Sequence, residues 1–555
     1  MNCGFSDPDI VFINGRIITV NSRDDIVEAV AVKSDKIIYV GTYKGIKGAI
    51  TDRTTVYDLK GRSMIPGFVD THYHPILKGL FGYSSDSAII DTSFDNCKSI
   101  NEILDLVKDA VKKRKPGEWI SMMGYDQNQV EEKRHITIEE LDDAAPLNPV
   151  QCMRTCGHIC IYNSKALETI GVFGPDDAVK YPHNEIVVKN GKLTGMVKDH
   201  THFYLWSKVN YTKEQQIEAA MRSNALLLKN GITSIHDAGE CDATSYKIMQ
   251  KLCCERKFKP REYMMIHSIF GKPVSLVQND HFLSLGLLTG LGNPYFRIGP
   301  CKFMIDGGTS GPSCATRKPY SHDPDMPGIL GWERVDVAEY LQKINNAGCQ
   351  ATAHAVGDLA IEYMVEGYEK AFTANPRPEA RHRIEHCALV DPDLIERMAK
   401  LNICPSANPG FISWNGRNYT NYFGERMNYF MALRSMIDAG VMVSIGSDSP
   451  SGPVDPIMIL DACVNRIDRV SDEPVDQSQS ISILEAIRIY TYNGAYSSYE
   501  ETIKGSIEVG KLADLVVLSE DILSSPKERI REILVDMTMI DGIIEYERRL
   551  NNQPS

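Results

Sequence analysis

Two periodicities divide the chain. Near the start, short β-rich runs such as VFINGRIITV and VEAVAVKSDKIIYVG are broken by Asn-Gly and Ser-Asp-Lys turns, which predicts strands. The far end has the same texture: GSIEVGKLADLVVLS, then a return through MIDGIIEYERR. Two β-rich ends predict one small, discontinuous β domain, residues 1–62 with 495–555. The long centre, 63–494, changes period. TKEQQIEAAMRSNALLLKNG and VDVAEYLQKINNAG have amphipathic helical spacing and end in Gly, a C-cap signal. An apolar run follows each, ITSIHDAG after the first and CQATAHAVGD after the second. Helix, short loop and buried strand in repetition fit a parallel α/β barrel or a doubly wound sheet. Between about 80 and 215 the alternation weakens over more residues than a βα loop needs, which reads as an insertion over the mouth.

Size agrees with this division. At 555 residues the chain exceeds the roughly 250–300 at which one core stops growing. A hydrophobic share of 43% and a charged share of 24% are globular proportions. The net charge of −13, without Lys/Arg clusters, argues against a nucleic-acid partner. No run approaches the roughly 18 apolar residues of a membrane helix. MNCGFSDPDIVF has neither the basic nor the apolar region of a signal peptide. Fourteen cysteines without framework spacing or a CxxC pair read as reduced thiols of a cytoplasmic protein.

The chemistry gathers where apolar runs end. IPGFVDTHYH supplies His72 and His74, RIGPCKFMIDGG supplies Lys302 and Asp306, and CQATAHAVGD supplies His354 and Asp358. RHRIEHCALV adds Glu385 and His386, and VMVSIGSDSP adds Asp448. Any one alone is most simply a cap or a satisfied core group. In a parallel barrel, however, all these ends converge on one face. Alternate strand residues share a side, so His72 and His74 project together while Tyr73 turns away. Neutral imidazoles with a carboxylate suit Zn²⁺ or another borderline divalent ion.

The order HxH, Lys, His, His, Asp resembles the amidohydrolase superfamily, and the resemblance covers nearly the whole chain. RTCGHICIYNSKAL, KFMIDGG, HAVGD and RHRIEH are similar to the set found in N-substituted formamide deformylases and their relatives. That resemblance implies a (β/α)8 TIM-type barrel with a β-sandwich formed by both termini. It implies one or two metal ions held by His72, His74, Lys302, His354, His386 and Asp448, with Lys302 carboxylated. It implies hydrolysis of a small-molecule amide by metal-activated hydroxide, with Asp448 as proton shuttle, His386 in the catalytic set and His158 as a substrate-facing donor. Cys156 departs from the commoner relatives, which carry Asp there. A homodimer would be in keeping with the family.

Other features carry less. DHTH at 199–202 is a second HxH, but at helical spacing its histidines diverge by about 200°, so a surface or lid element is expected. His236 ends an apolar run without an evident partner. Asp70, Asp358 and Glu385 are expected to orient imidazoles, although Glu385 and His386 can share the pocket only where the strand has ended. Tyr125, Phe411, Trp414 and Tyr422 are aromatics for an apolar pocket or ordinary core. Cyclic-amide opening is the nearest alternative reaction. Lactone or ester hydrolysis, or a non-catalytic binder on the same scaffold, ranks below it. Aromatic deamination is disfavoured because Glu362 lies eight residues beyond His354.

Overall fold

The computed structural model describes residues 7–181, 185–239, 243–268, 277–326 and 328–549. Eight strands form the central barrel: β1 (Phe68–Tyr73), β2 (Ile232–Asp237), β3 (Arg261–His267), β4 (Phe296–Met304), β5 (Ala351–Ala355), β6 (Arg383–His386), β7 (Cys404–Ala407) and β8 (Ser444–Ile445). They pair in that order, all parallel. The seam is closed just beyond β8, where the Asp448 N–H donates to the His72 carbonyl at 2.7 Å and the His74 N–H to that of Ser449 at 3.3 Å. Inside, the Thr71 hydroxyl lies 2.7 Å from that of Ser406 and 3.1 Å from that of Ser444. Helices cover the outside because their apolar faces have nowhere else to go. Lys213–Lys229, opened by a capping box of Thr212 and Gln215, sends the Ser223 hydroxyl to within 3.1 Å of Tyr73 Oη.

Both ends of the chain build a pair of sheets. One holds Ile10–Ile13, Ala29–Lys33, Lys36–Gly41 and Thr55–Asp58, and the other combines Arg16–Ile18, Ile26–Val27 and Ser63–Pro66 with Leu515–Leu518, Val535–Ile540 and Ile543–Glu547. Phe12, Val30, Met64, Leu515 and Met539 share one buried cluster there. The chain leaves this pair for the barrel at Gly67, where a Cβ would stand 2.1 Å from Thr233 Oγ1. Glycine is needed at such a close approach. Buried Arg261 at the foot of β3 pins the two parts together, reaching Asp514 at 2.7 Å and also Asp541.

Residues 81–198 contain a seven-stranded sheet with its own core of Ile103, Val107, Met122 and Cys152. Its first strands, Phe81–Gly82 and Ile89–Asp91, are only two and three residues long. That is too short to show alternation, hence the irregular reading of this stretch. Among the described residues no helix is long and apolar enough to cross a membrane.

Candidate metal centre

Strand alternation works as expected at the end of β1. Tyr73 points outward to Ser223, while His72 and His74 project into the mouth. Both Nε2 atoms approach one oxygen of Asp448, at 3.5 and 3.4 Å. One possible ligand atom from each of the three lies within 4.8 Å of the others. Asp448 stands just beyond β8 with a left-handed φ of +53°, which turns its side chain back over β1. Lys302 on β4 brings Nζ to 3.3 Å from His72 Nε2. His386 lies 4.6 Å from His72 and 4.4 Å from His354, ring centre to ring centre. All six residues expected to hold metal therefore share one end of the barrel.

Burial, before any other cause, depresses the basicity of His72, His74, His354 and His386 below the usual imidazole range. The rings are neutral, and each keeps a lone pair. For Asp448 burial acts the other way, but the hydrogen bond with His74 and the nearby His72 and His386 outweigh it and keep the carboxylate ionised. Neutral imidazoles beside an ionised carboxylate fit a divalent cation.

The supporting groups are largely non-local. Glu385 Oε2 accepts a hydrogen bond from the His72 Nδ1–H at 2.7 Å, leaving Nε2 of that ring for the centre. Glu385 and His386 both reach the site because His386 adopts φ +71°, which breaks the alternation at the last residue of β6. Arg383 donates to Glu385 at 2.9 and 3.0 Å and to His236 Nδ1 at 2.6 Å. His236 thus braces the charged pair from below. Asn408, which no motif marked, bonds His386 Nδ1 at 2.8 Å and the Gly446 carbonyl at 2.8 Å. Its only signal was an amide at the end of β7.

Two expected partners act differently. Asp70 accepts backbone N–H groups of His72 (3.2 Å) and Ser447 (2.9 Å) rather than an imidazole, and burial raises its carboxyl to about 7. Asp358 takes the Arg317 N–H at 2.7 Å and opens the helix Asp358–Ala374. The carboxylate nearest His354 is Asp306, at 3.8 Å. It holds the loops with backbone bonds from Val356, Gly357 and Ala315.

A small cavity opens above the cluster, bordered by His354, His386, Asp448, His158, Cys156, Gly308, Asn415, Phe411 and Tyr419. Of the aromatics Tyr125, Phe411, Trp414 and Tyr422, only Phe411 lines it. Tyr125 is buried against His135, 3.0 Å from its Nδ1, and Tyr419 stands at the cavity wall instead. His158 Nδ1 is bonded to Asp199 at 2.9 Å, a partner supplied by the DHTH stretch. That stretch opens the helix Asp199–Trp206, and it is not a surface element throughout. His202 is buried with Nδ1 2.7 Å from Tyr162 Oη, while His200 bonds Glu185 at 2.8 Å.

A family model described as "Amidohydrolase family" matches residues 55–546. The chain is 28% identical to an N-substituted formamide deformylase of Arthrobacter pascens, across 97% of this chain and 98% of that one. It is also 28% identical to the putative amidohydrolase YtcJ of Bacillus subtilis strain 168, across 97% and 99%. Among solved structures, an uncharacterized metal-dependent hydrolase from Pyrococcus horikoshii OT3 matches with a TM-score of 0.72 at 25% identity, covering 94% of this chain and 99% of that one.

Proposed function

The chain belongs to the amidohydrolase family and is a metal-dependent hydrolase of carbon–nitrogen bonds, and from that premise we propose that it cleaves an acyclic amide, of the N-substituted formamide or N-acyl amine type. The observation that carries this reading is the end-to-end match to a formamide deformylase in a chain whose His72, His74 and Asp448 converge beneath a cavity.

A divalent ion such as zinc, held by His72, His74, His354, His386, Asp448 and a carboxylated Lys302, would supply Lewis acidity and lower the pKa of water towards about 7. The chain's own groups do the rest. Lys302 can take part only once modified, because an ammonium has donors and no lone pair. Glu385 keeps the His72 proton on Nδ1, so that ring cannot turn its N–H toward the centre. Asp448, ionised and facing the mouth, accepts the proton of the attacking water and returns it to the departing nitrogen. That return is needed because an amine anion is a very poor leaving group. Phe411 and Tyr419 give the cavity an apolar wall for the amine substituent, and His158 faces the reacting amide.

The test is amine release by zinc-supplemented protein from N-formyl and N-acetyl alkyl and aryl amines, with hydantoins and lactones alongside and a chelated control. Chelator-sensitive release from the linear amides is expected. Turnover of the rings with silence on the amides would replace this reading with cyclic-amide opening. Intact mass under native conditions tests Lys302 separately, since an unmodified mass in active, metal-loaded protein would remove the carbamate.

A further inference from the structure

His158 and Asp199 are joined twice. Besides the side-chain bond at 2.9 Å, the Asp199 N–H donates to the His158 carbonyl at 2.8 Å. Asp199 adopts φ +41°, a left-handed conformation that L-residues generally avoid and that persists where the surroundings over-determine it. The surroundings here are explicit. Glu185 accepts from the Thr201 N–H at 2.8 Å, the Thr201 hydroxyl at 2.6 Å and His200 Nδ1 at 2.8 Å, fixing the first turn of the helix. His158 also lines the cavity. A Cβ on Gly308 would stand 3.1 Å from Cδ2 and 3.7 Å from Nε2, and the ring centre is 5.0 Å from that of His354.

A carboxylate oxygen accepts, so the Nδ1 that faces Asp199 carries the ring proton, and in that tautomer the lone pair is at Nε2. The donor role expected of His158 would need a second ring proton. We propose, resting on the amide reading above, that Asp199 is a positioning residue that locks His158 in this tautomer, so that Nε2 accepts the N–H of the scissile amide. The site is then selective for N-monosubstituted amides. An N,N-disubstituted amide has no such hydrogen and sets an alkyl group against a lone pair, leaving a buried acceptor unpaired.

Two measurements decide it. For the wild type, kcat/KM on N-butylformamide should exceed that on N-butyl-N-methylformamide by about 10- to 100-fold. In Asp199→Asn the carboxamide can donate to Nδ1 and drive the proton to Nε2, the wrong-tautomer effect known from triads. The ratio should then fall toward one while metal content and circular dichroism stay unchanged. Steric rejection of the extra methyl would persist in the variant, so an unchanged ratio overturns the proposal. A wild-type ratio near one also overturns it. Independently of turnover, ¹⁵N-histidine NMR assigned with His158→Gln should find the proton on Nδ1 in the wild type and on Nε2 in Asp199→Asn. The same tautomer in both overturns the lock. If the wild type cleaves neither amide, the functional reading falls, and the NMR result alone decides the part played by Asp199.

Discussion

A carboxylate sealed from water is costly unless its lone pairs are used, and Glu385 meets that condition. Oε1 accepts from Thr352 at 2.7 Å and Arg383 at 2.9 Å, while Oε2 accepts from Arg383 at 3.0 Å and His72 at 2.7 Å. Glu385→Gln puts an amide N–H against a donor and frees the His72 ring to turn. Metal affinity should drop about 10- to 100-fold, read by competition with a chromophoric chelator, with little change in circular dichroism. Unaltered affinity would mean that Glu385 serves the barrel and not the centre. The residues that converge at the candidate centre were legible in the sequence because each ends an apolar run and because alternation puts His72 and His74 on one side. Their partners were not. Strict alternation forbade Glu385 from joining His386, and the positive φ that lifts the ban leaves no mark in the residue letters. Asp199 was hidden for a related reason, since its role depends on the inserted sheet bringing residue 158 beside residue 199.

At the level of elements, the weakest part of the barrel wall is its seam. β8 is two residues long, and the loop beyond it carries Asp448 across to β1. Gly446 makes that approach possible: a Cβ there would stand 2.4 Å from the His72 Cβ and 2.7 Å from its backbone nitrogen. Backbone cannot yield as a side-chain tip does, so Gly446→Ala must part β8 from β1. Overpacking of this kind costs about 1–3 kcal/mol. It should also carry Asp448 away from His72 and His74, so metal affinity and urea midpoint are expected to fall together. A variant as stable as wild type, with full metal content, would show that the seam is not set by this contact. The helices were readable element by element, through their periodicity and Gly ends. The short strands were not, because two or three residues cannot display a period.

For the whole molecule, the sequence indicated β-rich ends and an α/β centre, but not which histidines the core would seal. His382 and His202 are buried away from the candidate centre, and His135 is half-buried. Burial pushes His382 and His202 down to about 3 and His135 down to about 4, helped by Arg377 at His382 and by Arg154 at His135. His382 uses both nitrogens in neutral form, accepting the Ala351 N–H at 3.0 Å and donating to Asn345 at 3.1 Å. In the unfolded chain each should titrate near about 6.5. Above that pH both states are neutral and the full stability is present. As pH falls below it, the unfolded chain takes up protons that the folded one refuses, and stability drains until the pH reaches about 3–4. Each histidine contributes a slope of up to about 1.4 kcal/mol per pH unit. Urea midpoints of metal-free protein should therefore decline from pH 7.5 to 5. In His382→Gln the decline should be shallower by about one proton, since glutamine cannot charge. The histidines of the candidate centre are unchanged between the two proteins, so the difference isolates His382. Parallel curves would mean that His382 is not held neutral in the core.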